Sequence, residues 1–385
     1  MREAHAANAQ LPLALFDARV VAAQLREARA SLGPRFSVDG DVHGGTPRRY
    51  AQNDGRLQLL AEQPIYAGGA LRAGVAASRA QVRASLARYR VAEKDLDLQV
   101  SSDFAELLQL DTIIAVRQKG AARLRTYLGV IEVRRAAGEG VTGDLLKTRV
   151  QVGTAEADLL DAERQRDLAR LALNDVLGRS PDAPLVLEAP PPVVPSDTGM
   201  EGWRDVPDVG QAEAESTAAQ WGVALATAER RPHLALQMNA GAQPAFSSFG
   251  PAINNGEGWG TELLLSLSWP VFDAGSYRAR RDQARLRAEQ AGQFAVVVRR
   301  QAQFAWAAAR GDLASRYREV EARVRTAATA EDSYLASESL YRGGATTALD
   351  VLDAYANWIA ASEAVAQAVF NYRVALAQLG RWGTP

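Results

Sequence analysis

Two passages of this chain are the same passage written twice. LQLLAEQPIYAGG at 57–69 and LLLSLSWPVFDAG at 263–275 set Pro64 against Pro270, Tyr66 against Phe272 and Gly69 against Gly275, each pair 206 residues apart. AGEGVTGDLL at 137–146 and GGATTALDVL at 343–352 keep that offset, with Gly138 against Gly344, Asp144 against Asp350 and Leu146 against Leu352. An offset unchanged from Pro64 to Leu146 means that the arm between them has one length in both copies. The fold must therefore be one that tolerates no insertion there.

Each copy has the same order of signals. A helical lead-in ends at Pro34 or Pro232, where the residue before proline is driven out of the helical region and a strand begins. Phe36, Val38 and Val42 alternate with polar neighbours, and Leu234, Leu236, Met238 and Ala240 alternate with His233, Ala235, Gln237 and Asn239. Loops rich in Gly, Pro, Asn and Ser return a second strand in each copy, in which Leu263, Leu265, Leu267 and Trp269 alternate again. Four strands result, in hairpins over 34–66 and 232–272, each half apolar and half polar.

From Gly69 to Ala137 there is no proline, and good helix formers dominate. As one helix that arm is about 100 Å long. In the closing segment Trp358, Val365, Val369, Tyr372, Leu376 and Leu379, with Ser362 at the vacant step, follow a coiled-coil seam. The resulting division is a first repeat at 1–177 with a long helical hairpin at 69–177, a proline-rich connector at 178–205, and a second repeat at 206–385 with its helical hairpin at 275–380.

A formal net charge of −1 offers no basic field for nucleic acid, and the absence of cysteine excludes disulfides and thiolate metal sites. No apolar run approaches the roughly 18 to 20 residues of a membrane helix, a test that barrel strands escape. The first residues, MREAHAANAQLPLAL, lack the apolar stretch of a signal peptide, so either the protein stays inside the cell or its true N-terminus lies upstream. Four half-wet strands are too few to close a barrel by themselves, and open edges in lipid leave backbone groups unpaired. If the strands meet lipid the chain must oligomerise, and three copies supply twelve strands; otherwise they form a soluble sheet on a helical bundle.

The duplicated order of proline-ended lead-in, hairpins closing in QPIYAGG and WPVFDAG, the turns AGEGVTGDLL and YRGGATTALDVLDA, and the ends LNDVLGRSP and LAQLG resembles the TolC family of outer-membrane efflux and secretion ducts, from about residue 12 to 381. The resemblance implies a mainly α fold with a membrane β part: long antiparallel α-helical hairpins forming an α-barrel, and four strands per protomer in a twelve-stranded barrel shared by a homotrimer. It also implies a Gram-negative outer membrane, a helical part in the periplasm, contact with outer-membrane lipid, and docking on a periplasmic adaptor, or membrane fusion protein, driven by an inner-membrane pump. Such a channel-tunnel of a tripartite efflux pump or type I secretion system is a passive conduit for small molecules or proteins. It is not an enzyme and needs no cofactor or metal.

On that resemblance Pro64, Gly69, Pro270 and Gly275 mark the β-to-α junctions. Gly138, Gly140, Val141, Thr142 and Leu145 of one turn, and Gly344, Thr346, Thr347 and Leu349 of the other, are adaptor-docking positions. Tyr341, Asp350, Asp353 and Asp144 belong to a periplasmic gate, where three copies of Asp350 and Asp353 would ring an opening selective for cations. Two departures stand out. Family members carry a signal sequence and a short helix before the point matching Leu11, and neither is expected here. The arginine usual two residues after the turn glycine is replaced by Thr346, so the gate is expected to rest on hydrogen bonds or on another residue such as Arg342.

Other features have plainer readings. Asp350 suits a helix N-terminus as well as a gate. Gly138, Gly140 and Gly143 spell a dinucleotide fingerprint but follow a helix rather than a strand. His43 and His233 fall on the polar strand face, and Trp259 and Trp269 suit either an interfacial belt or a core. RARRDQARLR at 278–287 reads as a solvated basic surface just below the membrane, or one that touches anionic lipid headgroups. The soluble alternative is a periplasmic coiled-coil adaptor or interaction protein, which usually has one helical hairpin rather than a duplicated pair.

Overall fold

The computed structural model describes residues 1–43, 54–188, 202–242, 253–254 and 259–383. Seven helices and five strands are described. Helices α1 (Arg2–Ala7) and α2 (Gln10–Ala30) precede strands β1 (Arg35–His43) and β2 (Asp54–Ala67), and then come α3 (Ala70–Ala136) and α4 (Thr142–Val176). The second copy follows as α5 (Pro207–Ala228), β3 (His233–Ala242), β4 (Ile253–Asn254), β5 (Trp259–Ser268), α6 (Ser276–Arg342) and α7 (Ala348–Trp382). The chain is mainly helical with a small antiparallel sheet, and no described helix is long and apolar enough to cross a membrane.

The duplication is exact at the helix boundaries. Ala70, Ala136, Thr142 and Val176 plus 206 give Ser276, Arg342, Ala348 and Trp382, so both arms have helices of 67 and 35 residues. Pro34 and Pro232 are 198 apart, and the difference of eight residues is therefore inserted between them and Pro270, in the second copy's hairpin.

Compact packing cuts across the repeats. One unit comprises Met1–Leu13, Arg90–Val206 and Arg300–Pro385; the other comprises Ala14–Tyr89 and Pro207–Arg299. In the second unit the strands run β1-β2-β3-β5-β4, every described pairing antiparallel. The expected four strands are there, with the two-residue β4 added at the edge. Registers align the apolar alternation: Phe36 lies opposite Ala61, Ala61 opposite Met238 and Met238 opposite Leu263. On that face Phe36, Val38, Leu57, Leu59, Met238, Leu263, Leu265 and Leu267 are 46 to 70% exposed. The reverse face carries Ser37, Leu60, Asn239 and Glu262 in one row and Arg35, Glu62, Gln237 and Leu264 in the next.

The first hairpin, expected over 34–66, ends at Ala67, with Pro64 inside its second strand. Pro64 does not stop β2, which continues to Ala67, because a register shift between Pro64 and Tyr66 absorbs the missing amide. The break comes at Gly68 and Gly69, with φ of 62° and 94°. In the second copy β5 ends at Ser268, just before Trp269 and Pro270, and the Asp273 carboxylate accepts from the amides of Gly275 and Tyr277 to cap α6. The side chains of His43 and Trp259 lie outside the described residues.

In the first unit the expected absence of a short helix ahead of Leu11 is overturned by α1. Glu3 lies in its first turn, Ala4 is fully buried, and Asn8 ends it by accepting from the amide of Gln10 while donating to the carbonyl of Val176. The connector is tied at its start by buried Asn174, which donates to the carbonyls of Pro181 and Ala183 at 2.9 and 3.0 Å. Its far end makes one 3₁₀ turn at Gly202–Asp205. Along α7 the seam residues Trp358, Tyr372 and Leu379 are buried, whereas Leu376 turns outward and Ala366, Ala368 and Ala375 fill the contact. Alanine lets the helices approach closely, so the larger leucine is not needed there.

Candidate functional site

The two helix-to-helix turns lie in the first unit and share a backbone design. Gly138 and Gly344 have φ of 83° and 75°, a region closed to most side chains. The amides of Gly138 and Glu139 bond to the carbonyls of Arg135 and Arg134, and those of Gly344 and Ala345 bond to Tyr341 and Leu340. Gly140 is needed for a second reason, since a Cβ there would fall 2.8 Å from the Arg135 Cα.

The turns then diverge. At α7, Thr347 is the N-cap and forms a capping box with Asp350, whose carboxylate accepts from the Thr347 amide at 3.0 Å and the Thr347 hydroxyl at 2.7 Å. Thr346 donates a further hydroxyl to the same oxygen at 2.7 Å. The Thr347 and Thr346 hydroxyls and the Thr347 amide hold the Asp350 carboxyl down to about 2. At α4 the N-cap is Val141, with no side chain to offer. Asp144, the counterpart of Asp350, is half-buried, and its charge acts on Tyr127 and Tyr341.

Tyr127 and Tyr341 belong to a buried aromatic core that also holds Leu145. Tyr127 and Tyr341 meet edge to face at 5.2 Å, and Tyr334 stacks on Trp358 at 5.5 Å with Tyr355 edge-on to both. Burial raises the Tyr127 and Tyr341 hydroxyls above their ordinary value, the Asp144 charge adds to both, and burial pushes Tyr334 and Tyr355 up to about 12. Arg123 lies 4.5 Å over the Trp358 ring and bonds to Glu331, which Lys119 also holds. Arg134 lies 5.1 Å over the Tyr341 ring and donates to the Tyr341 carbonyl at 2.6 Å.

Leu145 is buried in this core, while Val141, Thr142, Leu349 and Asp353 are exposed. Arg342 is occupied by Glu338 on its own helix. Tyr341 is instead held by Arg134, which sequence reasoning missed because it belongs to the other helical hairpin. Tyr127 and Arg123, on the same helix as Arg134, were missed for the same reason, whereas Trp358 was named only as a seam residue.

Residues 1–179 and 205–382 match the outer membrane efflux protein family. The chain belongs to that family. As a family member it is an outer-membrane protein of efflux transport, and the soluble alternative falls away. It is 23% identical over 383 residues to the outer membrane efflux protein BepC of Brucella suis, covering 97% of this chain and 82% of that one. The pyoverdine export outer membrane protein OpmQ of Pseudomonas aeruginosa is 26% identical over 278 residues, 70% of this chain and 56% of that protein. Among solved structures, CusC superposes with a TM-score of 0.90 at 19% identity, over all of this chain and 91% of that one. VceC of Vibrio cholerae gives 0.88 at 20% identity, over 99% of this chain and 94% of its own. The efflux family fold thus accounts for both the apolar sheet face and the paired helical arms.

Proposed function

We propose that this efflux protein works as a homotrimer, a passive conduit with no chemistry of its own. The single observation that carries this reading is the register-aligned apolar face of a sheet whose edges, β1 on one side and β4 with the end of β5 on the other, have no further strand among the described residues. Such a sheet in lipid leaves edge backbone groups unsatisfied, and closure with the strands of two more copies satisfies them. The chain leaves the membrane at Gly69 and Gly275 and continues as helices in the periplasm. There the turns at Gly138–Leu145 and Gly344–Leu349 dock on an adaptor coupled to an inner-membrane pump.

The gate in this reading differs from one held by an arginine at Thr346. Asp350 is bound locally by Thr346 and Thr347 and Tyr341 by Arg134, while the Asp144 charge acts on Tyr341. Exposed Asp353 and Asp350, whose three bonds all fall on one carboxylate oxygen, supply the negative ring of the opening. Membrane fractionation of the expressed protein, with gel mobility before and after heating, tests the assembly. A heat-modifiable trimer in the outer membrane is expected, and a soluble monomer overturns the reading.

A further inference from the structure

Both long helices that follow the sheet carry arginine in their first turn, where a helix prefers acid. Arg72 and Arg278 occupy the third position of α3 and α6, 206 residues apart, and Arg79 and Arg285 repeat the relation one heptad on. Neither helix has an acidic residue in its first turn, and none occurs in α3 before Glu93. A cation at a helix N-terminus opposes the backbone dipole. Helix stability therefore does not account for a placement that both copies share.

The arginines form two stripes. Arg72, Arg79 and Arg83 are spaced seven and four apart, and Arg278, Arg281 and Arg285 three and four, so each set lies on one helix face. All six are exposed. Arg281 touches only its neighbour Asp282 and Arg285 pairs with Glu289 on its own helix, while Arg72, Arg79, Arg83 and Arg278 make no ion pair among the described residues. The apolar strands lead into them: Arg72 is five residues beyond Ala67, and Arg278 ten beyond Ser268 with exposed Trp269, Val271 and Phe272 between.

Their heights match the layers of a bilayer. At a rise of about 1.5 Å per residue, Arg72 and Arg278 stand about 3 Å into their helices, and Arg79 and Arg285 about 14 Å. The headgroup layer beside the hydrocarbon is about 5 to 7 Å thick. The first pair thus falls within it and the second within about one Debye length of it.

We propose that the Arg72/Arg79/Arg83 and Arg278/Arg281/Arg285 stripes form a site for the anionic phosphates of bilayer headgroups, anchoring the barrel at its periplasmic rim. This rests on the membrane-barrel reading above. Charge complementarity and continuity with the exposed apolar face select a lipid surface over a soluble phosphate. Clustered arginine next to a membrane segment is the pattern that attracts anionic lipid.

The test uses the full-length assembly, reconstituted with an equal mixture of phosphatidylglycerol and phosphatidylcholine and then stripped of loose lipid. The wild type should retain phosphatidylglycerol over phosphatidylcholine by about tenfold, less at high salt. The variant R72Q/R79Q/R278Q/R285Q should fall to near parity, while R125Q/R149Q/R164Q/R318Q, with equal charge loss in the other unit, should keep the preference. If the fourfold variant does not assemble, R72Q and R278Q singly should each give part of the loss. Equal retention of both lipids by wild type, an unchanged preference in the variants, or displacement by soluble glycerol 3-phosphate overturns the proposal. A chain that forms no trimer even in pure phosphatidylcholine instead refutes the barrel reading.

Discussion

The two turns show how one residue separates two copies of a motif. Thr347 gives α7 a hydroxyl that accepts from the Asp350 amide, and its counterpart Val141 gives α4 nothing. Thr347→Ala should weaken the first turn of α7 by about 1 kcal/mol, and Val141→Thr should strengthen that of α4 by a comparable or smaller amount. Hydrogen exchange of the amides at 348–350 and 142–144 reads both, with opposite signs expected. The same box sets a pH dependence. The Asp350 carboxyl is lowered from 3.8 to about 2, so the folded turn binds fewer protons than the unfolded chain. Its contribution is complete above the ordinary value, fades as pH falls from about 4 toward 2, and is absent below. Protection of the first turn of α7 should drop across that window and Asp350→Asn should abolish the step; protection constant from pH 5 to 2 would refute this.

At the scale of elements, helix boundaries were legible because an unbroken run between a glycine pair and a glycine turn leaves a proline-free chain little else to form. What joins the elements was not. Arg134 and Tyr341 are 207 residues apart, and no period in either helix indicates that a guanidinium from α3 reaches the last turn of α6. The register shift beside Pro64 was not legible either, since a proline marks where a regular ladder loses an amide but not how the partner strand slips to absorb it. Leu376 misled because a seam drawn from large residues passes over alanines that pack more closely. The Arg134 contact joins a charge-assisted bond to a carbonyl with a ring beneath the same cation. Arg134→Met should loosen the second turn by about 1 to 2 kcal/mol, read as roughly tenfold faster exchange at 341–346. Arg134→Lys should fall between, since it keeps the charge without the planar fork. Equal exchange in all three proteins would show that the turn is held elsewhere.

For the whole molecule the decisive asymmetry lies across the thickness of a single strand. Leu263 and Leu264 are adjacent in β5, yet Leu263 pairs with Met238 on the apolar face and Leu264 with Gln237 on the other. Leu263 is 57% exposed, which for a soluble protomer would be a liability and for a lipid-facing wall is a requirement. A charge at the middle of such a wall costs about 2 to 4 kcal/mol, whereas the inner face of a barrel admits polar side chains. Leu263→Arg should therefore block folding into the outer membrane or abolish heat-resistant assembly, the cost recurring in every protomer. Leu264→Arg should assemble and change ion conductance. If both substitutions were tolerated, or if Leu264→Arg were the harmful one, the apolar face would not be the face that meets lipid. The arms of 67 and 35 residues would then need another reason for being hung from a sheet of this kind.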